Sequence, residues 1–202
     1  MNPTKEQLLS SSFLDNYFPN PIARERVVKL LKGEDDTLHM TPEEMNCIEK
    51  YLKDTDIMLE YGSGKSTLHF PKFVKEFHSV EHLKSWKYII TYKLSEREDI
   101  KDKVKLYFYN ISMNEEKTDE KLEGYANIID KIGIKRYDII LIDGVGRSQC
   151  CKKILNYIDK NSIVFIHDYY EERYEDCHWI EQYMDKIENI KEGHTMVGLR
   201  LK

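Results

Sequence analysis

Short apolar runs alternate with longer mixed segments from residue 56 to residue 202, and this alternation limits the possible fold more than any other feature. Six runs have the length and composition of β-strands: 57–61, 77–81, 104–109, 137–142, 162–166 and 196–201. The segments between them are predicted to contain helices at about 66–75, 83–92, 122–132, 148–159 and 171–187. Near-continuous aliphatic strands separated by helices are typical of a parallel sheet that is covered on both faces. The chain is therefore predicted to be an α/β protein with a mostly parallel sheet.

The first 55 residues have a different pattern, which predicts helices. Asn20 followed by Pro21 is typical of a helix start, and Gly33 is typical of a helix end. The run from Thr41 to Glu44 has the form of a capping box with a proline at the first helical position. We therefore expect a helical cap over residues 1–55 and one α/β domain over residues 56–202.

Composition and charge exclude several classes of protein. Lys and Arg total 31 against 36 for Asp and Glu, a net charge of −5, which argues against a long nucleic acid as partner. No apolar run approaches the roughly 20 residues of a membrane span, and the N-terminus lacks the apolar core of a secretory signal. Cys47, Cys150, Cys151 and Cys177 have no CxxC spacing and are expected to be reduced thiols. A cytoplasmic location is predicted.

Polar side chains follow several of the predicted strands. They include Gly62 and its neighbours, Glu81, Asn110, Asp143 and the pair His167-Asp168. In parallel sheets, ligands bind beyond the carboxyl ends of the strands. The sequence therefore predicts a binding site at this edge. Polar residues 112–121 are expected to form a loop beside it.

The loop after the first strand, residues 60–67, allows two interpretations. Gly64-Lys65-Ser66 matches the end of a phosphate-binding loop, and the strand that ends at Asp143 could then serve a magnesium ion. Two observations oppose this interpretation. Leu59 occupies the position of the motif's first glycine, and the carboxylate of Glu60 would lie within a triphosphate site. A dinucleotide GxGxxG fingerprint also fails, because Thr67 stands in place of its third glycine.

The other interpretation is a cofactor loop whose partner is Glu81, 21 residues after Glu60 and at the end of the next strand, where a carboxylate can accept two ribose hydroxyls. Four stretches carry a resemblance to class I S-adenosylmethionine-dependent methyltransferases: Glu-Tyr-Gly-Ser-Gly-x-Ser-Thr from residue 60, Ser-Val-Glu-His from 79, Leu-Ile-Asp-Gly from 141 and Ile-His-Asp-Tyr from 166. The resemblance covers about residues 56–202. It implies a Rossmann-like three-layer sandwich with an N-terminal helical extension.

The resemblance also implies site residues. S-adenosylmethionine is expected to contact Glu60, Gly62, Ser63, Gly64, Lys65, Ser66, Thr67, Glu81, His82, Asn110, Ile111 and Asp143. Arg147, Tyr169 and Arg173 are expected to contact the acceptor. The predicted activity is transfer of a methyl group to a hydroxyl of a sugar, a glycan or another small molecule. The alternatives are a P-loop kinase or NTPase, and a catalytically inactive module that binds the cofactor.

Catalysis is expected to involve Asp143, His167 and Asp168, because they follow neighbouring strands and can converge. One possibility is that His167 or Asp168 is the general base. A second is that Asp143 and Asp168 hold a divalent cation such as Mg²⁺, as in some sugar and catechol O-methyltransferases. This sequence departs from that pattern, because His167 stands where a second carboxylate is usual and hard cations prefer oxygen ligands. A third is that these groups only cap loops and bind the amino group of the cofactor.

Overall fold

A computed structural model describes residues 2–34, 40–112, 115–193 and 195–202. Residues 1 and 35–39 of the predicted cap lie outside the described part, as do residues 113–114 of the predicted loop. Within the described part, no helix combines the length and the apolar character that crossing a bilayer requires. Cys47, Cys150, Cys151 and Cys177 are free thiols, and all four are buried.

The described part of the chain contains one seven-stranded sheet. Its strands are β1 (Ile57–Tyr61), β2 (Glu76–Glu81), β3 (Val104–Phe108), β4 (Ile139–Ile142), β5 (Ile163–His167), β6 (Met184–Ile190) and β7 (Met196–Leu201). Their order is β3-β2-β1-β4-β5-β7-β6. The pairs among β1 to β5 are parallel, and β7 is antiparallel to both β5 and β6. The predicted α/β class with a mostly parallel sheet is confirmed.

Helices lie on both faces of this sheet. They are α1 (Lys5–Leu8), α2 (Ser11–Tyr17), α3 (Pro21–Lys32), α4 (Pro42–Glu49), α5 (Ser66–His69), α6 (Lys84–Ser95), α7 (Asp119–Ala126) and α8 (Arg147–Ile154), with 3₁₀ helices at Phe70–Phe73, Asn127–Lys131 and Glu172–Gln182. Asn20 caps α3 and Thr41 caps α4, as the sequence predicts. The helix predicted at about 66–75 is shorter in the structure, because Pro71 lies in the 3₁₀ helix that follows α5.

Alternate residues along each strand face the two helical layers. Tyr61 and Ile142 pack with buried residues of α7 and α8 on one face, and Met58 and Phe165 pack with α4 on the other. Helices α1 to α3 bury their apolar side chains against α6. The N-terminal helices therefore pack directly on the α/β core. A separate role for residues 1–55 as a cap stays a prediction.

The predicted helix over 171–187 is wrong. The structure has a 3₁₀ helix at Glu172–Gln182 and then the strand β6, so the sheet gains an edge strand that the sequence did not indicate. A register irregularity between Lys186 and Glu188 interrupts the alternation of β6. The apolar residues Met184, Ile187 and Ile190 are three apart in the sequence, which is typical of a helix. The irregularity lets this spacing fit a strand.

The strand register aligns the carboxyl ends of four strands. Tyr61 pairs with Val80 and with Ile142, and Ile142 pairs with Ile166. The next residue of each strand or following loop therefore falls in one row across the sheet. That row is Gly62, Glu81, Asp143 and His167, and it lies where the strand order reverses direction, the usual position of a ligand crevice.

Candidate functional site

A cavity of about 520 Å³ opens at this edge of the sheet. Its size is within the roughly 300–1,000 Å³ of small-molecule sites. Its walls are Met40, Gly62, Ser63, Gly64, Lys65, Ser66, Glu81, His82, Leu83, Trp86, Lys117, Asp143, Gly144, Val145, Arg147, His167, Asp168, Glu171, Arg173 and Tyr174. Twelve of the predicted site residues are in this set: Gly62, Ser63, Gly64, Lys65, Ser66, Glu81, His82, Asp143, Arg147, His167, Asp168 and Arg173.

Gly62 joins the loop after β1 to the loop after β4. Its φ is +96°, in the region that disfavours a side chain. A Cβ built at Gly62 would be 2.7 Å from the backbone nitrogen of Gly144 and 2.8 Å from the carbonyl of Asp143. Gly62 is thus required by backbone packing, whereas Gly64, whose Cβ would meet nothing closer than 3.8 Å, leaves space beside the loop for a ligand.

Glu60 holds this loop in place through hydrogen bonds and does not line the cavity. Its fully buried carboxylate accepts hydrogen bonds from the hydroxyls of Ser66, Thr67 (2.5 Å) and Ser79 (2.7 Å). Burial raises the pKa of Glu60 to about 7, although these three hydrogen bonds oppose the shift. Thr67 is also fully buried, and its Oγ1 accepts from the backbone N–H of Gly64 at 2.9 Å. Both residues therefore shape the loop, neither lines the cavity, and their contact with the cofactor stays a prediction.

Glu81 ends β2 and faces the cavity with a carboxylate fixed by backbone donors. Oε2 accepts from the N–H of Ser63 at 3.0 Å, and Oε1 accepts from those of His82 (2.7 Å) and Leu83 (2.6 Å). An ionised carboxylate offers about four acceptor positions, so capacity remains on Oε2 for a ligand hydroxyl. The contact to Ser63 also ties Glu81 to the glycine loop.

Asp143, His167 and Asp168 converge as predicted. Nδ1 of His167 is 3.0 Å from Oδ1 of Asp143 and 3.3 Å from Oδ1 of Asp168. Burial would lower the pKa of His167, but hydrogen bonds with Asp143, Asp168 and Glu44 outweigh it and raise the pKa to about 11. His167 is therefore an imidazolium at neutral pH. In that state its Nδ1 donates a hydrogen bond to Asp143, and a role for His167 as general base stays a prediction.

Asp168 lies in an unusual backbone conformation. Its φ is 50°, a left-handed value that costs about 1 kcal/mol for a residue with a Cβ. Its burial opposes ionisation, but the contacts with His167 and Arg147 hold the pKa of Asp168 well below its usual value. In this conformation the Asp168 carboxylate contacts both Arg147, at 3.1 Å, and His167, at 3.3 Å.

Arg147 is buried inside the cluster, a placement that the sequence did not predict. Its Nη2 donates to Oδ1 of Asp143 at 3.2 Å and to Oδ2 of Asp168 at 3.1 Å, and only 3% of its side chain is exposed. The guanidinium also stacks on the Tyr174 ring, 3.8 Å from its centroid. Arg147 lines the cavity with its guanidinium already engaged, and its contact with the acceptor stays a prediction. Arg173, 62% exposed, is the arginine at the rim.

Glu44 is a site residue that the sequence did not reveal. It was predicted only as part of a capping box, and its Oε2 does accept from the N–H of Thr41 at 2.6 Å. Its other oxygen is 3.4 Å from Nε2 of His167, and Glu44 is fully buried. The N-terminal helix α4 therefore contributes a carboxylate to the cluster. A glutamate in the first turn of a helix is usually exposed, and the burial of Glu44 depends on tertiary packing that the sequence does not indicate.

Besides Glu60 and Thr67, three predicted site residues lie away from the main cavity. Asn110 lines a separate cavity of about 280 Å³, whose wall shares Leu83 with the main one. Ile111 is fully buried in the core. Tyr169 is also fully buried, and its hydroxyl donates to Oε1 of Glu181 at 2.7 Å. Ile111 and Tyr169 are packing residues here, because neither side chain reaches the cavity.

The metal site that the sequence allowed does not fit the arrangement. One ligand atom each of Asp143, His167 and Asp168 lies within 4.8 Å of the others, as a metal site requires. However, the Arg147 guanidinium lies between the two carboxylates, 3.2 Å from Oδ1 of Asp143 and 3.1 Å from Oδ2 of Asp168, and occupies their oxygens as a cation would. The contacts of Arg147 therefore disfavour a divalent cation at this position.

No protein-family model matches this sequence. The curated proteins also contain no significant match. Solved structures do resemble it. A methyltransferase-like protein from Silicibacter pomeroyi has a TM-score of 0.63 at 19% identity, covering 82% of this chain and 89% of the other. A methyltransferase from Streptococcus mutans bound to S-adenosylhomocysteine has a TM-score of 0.57 at 13% identity, covering 81% and 99%. An rRNA methylase from Streptococcus thermophilus has a TM-score of 0.55 at 11% identity, covering 82% and 99%.

These similarities confirm the predicted fold. The chain has the Rossmann-like fold found in class I S-adenosylmethionine-dependent methyltransferases, with helices on both faces of a mostly parallel sheet. Because the similar structures include an rRNA methylase, the fold does not select an acceptor class. The expectation that nucleic acid is not the acceptor stays a prediction from the net charge.

Proposed function

We propose that this protein is an S-adenosylmethionine-dependent methyltransferase. The observation that carries the proposal is the row formed by Gly62, Glu81 and Asp143 along a cavity of about 520 Å³, at the edge where the strand order reverses. The similar fold of the Streptococcus mutans methyltransferase, solved with S-adenosylhomocysteine, supports the same cofactor here.

The cavity residues fit this cofactor. Glu81 has acceptor capacity for ribose hydroxyls, and His82 and Leu83 continue the wall beside it. The backbone of Gly64 leaves open space for the methionine half, and Lys65 provides a positive charge for its carboxylate. Glu60 holds the loop in this shape through three hydroxyl groups.

The P-loop alternative is disfavoured by the hydroxyl of Ser66. In a phosphate-binding loop this hydroxyl is a magnesium ligand. Here it donates to the buried carboxylate of Glu60. A triphosphate would also have to approach that carboxylate. The loop geometry therefore favours a cofactor whose recognition is centred on Glu81.

The acceptor proposed is a hydroxyl of a sugar, a glycan or another small molecule. The bound cofactor supplies a methyl group on a sulfonium centre, which is displaced in line. The protein must orient the acceptor hydroxyl and remove its proton. Asp143 is the better base, because both of its hydrogen bonds, from Arg147 and His167, fall on Oδ1 and leave Oδ2 as an acceptor. Asp168 instead shares Oδ2 with Arg147 and Arg173.

The charge distribution supports a small acceptor over a polyanion. Arg147 is paired with two carboxylates, and Arg173 is 2.5 Å from Glu171. These pairings reduce the positive potential that a nucleic-acid backbone needs. Trp86 adds an aromatic wall that suits a sugar or phenol face.

Calorimetry tests the cofactor. S-adenosylhomocysteine should bind the wild-type protein, and Glu81→Gln should weaken binding about 10- to 100-fold, since a hydrogen bond to a charged group contributes about 1.5–3 kcal/mol. Glu76→Gln is the matched control, because Glu76 lies at the opposite end of β2 and pairs with Lys105 at the surface. Binding of ATP-magnesium without S-adenosylhomocysteine would refute the proposal.

A screen with labelled S-adenosylmethionine tests the acceptor. Sugars, phenols, amines and a short RNA should be offered separately, and we expect label only in hydroxylated small molecules. Label in RNA or in amines alone would contradict the proposed acceptor while leaving methyl transfer intact. Cofactor binding without transfer to any acceptor would favour an inactive binding module.

A further inference from the structure

The two carboxylates at the site share two basic side chains of the protein itself, His167 on their Oδ1 atoms and Arg147 on Oδ1 of Asp143 and Oδ2 of Asp168. Asp143 follows β4 and Asp168 follows β5, and these neighbouring strand ends bring a half-buried and a largely buried carboxylate close together. Like charges this close require a compensating cation. Proteins meet this requirement either with a bound metal ion or with a basic side chain.

Arg147 supplies the compensating positive charge, and most of its N–H groups donate hydrogen bonds. Nε donates to the carbonyl of Gly144 at 3.1 Å and Nη1 donates to the carbonyl of His167. Nη2 donates to both Asp143 and Asp168. Four of the five guanidinium N–H groups therefore have acceptors on the β4 and β5 loops.

The position of Nη2 is the informative detail. A single nitrogen is 3.2 Å from one carboxylate and 3.1 Å from the other, so it lies between the two oxygens that a bridging cation would also contact. The side chain is 3% exposed and the Tyr174 ring covers it. A planar guanidinium in a fixed fork is well suited to this task, because it cannot lose its charge or dissociate.

We propose that the Arg147 guanidinium takes the place of a divalent cation between Asp143 and Asp168, so that this site is built to work without a metal. The bridge holds Oδ1 of Asp143 and thereby presents Oδ2 to the cavity, which makes Arg147 a positioning residue. This positioning role rests on the proposed methyl transfer. The displacement of metal by Arg147 rests only on the contacts.

Removal of the guanidinium should create a metal site. Arg147→Met keeps a long apolar side chain and frees oxygens of both carboxylates, which hard cations prefer as ligands. Titration with Mn²⁺, followed by electron paramagnetic resonance, should show one ion bound at least about tenfold more tightly to this variant than to the wild type. The Arg147→Met/Asp143→Asn double variant should lose that site.

Arg173→Met is the matched control. Arg173 also reaches Asp168, at 3.5 Å, but its side chain is 62% exposed and contacts no second strand-end carboxylate in the described residues. Mn²⁺ binding by this variant should equal that of the wild type. Equal gains in Arg147→Met and Arg173→Met would mean that general charge, not the bridge, excludes the ion, and would overturn the proposal.

The wild-type protein provides a test that does not depend on the folding of any variant. After EDTA treatment it should keep its melting temperature and its S-adenosylhomocysteine affinity, and Mn²⁺ should change neither. Stoichiometric Mn²⁺ binding that disappears in Asp143→Asn would refute the inference. Failure of S-adenosylhomocysteine binding with no Mn²⁺ binding would instead refute the proposed function and leave the bridge standing.

Discussion

Gly62→Ala is the substitution for which the structure gives the clearest magnitude. Two separate costs apply at this position. The backbone has a φ of +96°, and the added Cβ would be 2.7 Å from the nitrogen of Gly144 and 2.8 Å from the carbonyl carbon of Asp143. These contacts are with backbone atoms, so no side chain can rotate away to relieve them. The loops after β1 and β4 would have to separate.

Gly33→Ala isolates the first cost. Gly33 caps the end of α3 with a φ of +76°, and a Cβ there would meet nothing within 4 Å. Left-handed backbone costs a residue with a Cβ about 1–2 kcal/mol. Gly62→Ala should add about 1–3 kcal/mol of overpacking to the same cost, for about 2–5 kcal/mol in total.

Urea unfolding measures both values, and calorimetry measures cofactor affinity. Gly33→Ala should lower the free energy of unfolding by about 1–2 kcal/mol and leave S-adenosylhomocysteine binding unchanged. Gly62→Ala should be the more destabilising by at least about 1 kcal/mol and should weaken binding, because the moved loop carries Ser63 away from Glu81. Equal destabilisation in the two variants, or full affinity in Gly62→Ala, would show that the backbone contact with Asp143 and Gly144 does not shape the site.

Three further predictions concern the buried cluster. Asp143→Asn should reduce the methyl-transfer rate by about 10²–10⁴ while S-adenosylhomocysteine affinity changes less than about tenfold; a larger loss of affinity with an unchanged rate would assign Asp143 to cofactor binding. Because the pKa of His167 is raised from 6.5 to about 11 in the folded protein, its contribution to stability is fully present below about pH 6.5 and is lost as pH rises toward 11. The stability gap between wild type and His167→Gln, followed by urea unfolding at several pH values, should therefore shrink with rising pH, and a constant gap would contradict the assignment. Glu44→Gln should lower the free energy of unfolding by about 1–3 kcal/mol, with Glu43→Gln as the exposed control and urea unfolding as the measurement; equal effects would mean that the contact with His167 contributes nothing.

The sequence was sufficient for the parallel core and for the row of strand-end residues. Apolar runs of strand length ended directly before Gly62 and Asp143, so the period and the end of each run were both visible. It was not sufficient for β6. The apolar residues of β6 do not alternate, because a register irregularity lies between Lys186 and Glu188. Only the pairing with β7 defines this segment as a strand.

The site shows the same division at the level of single side chains. Glu81 was predictable, because its place after a strand and its distance from Glu60 are sequence properties. Arg147 and Tyr169 were predicted to face the acceptor, but the first is buried between two carboxylates and the second packs in the core. A sequence gives the charge of a side chain but not its orientation, which depends on the contacts it makes in the folded protein.

The sequence alone determined the α/β architecture, the cofactor loop and the edge of the sheet at which polar groups gather, because these follow from local periodicity and from positions at strand ends. Only the tertiary structure decided the state of that edge. Glu44 arrives from a helix about 120 residues distant in sequence from His167, and Arg147 settles between Asp143 and Asp168. Buried charges pair with the partners that tertiary packing places nearby. Here the packing places the guanidinium of Arg147 between Asp143 and Asp168, two of the predicted metal ligands or bases.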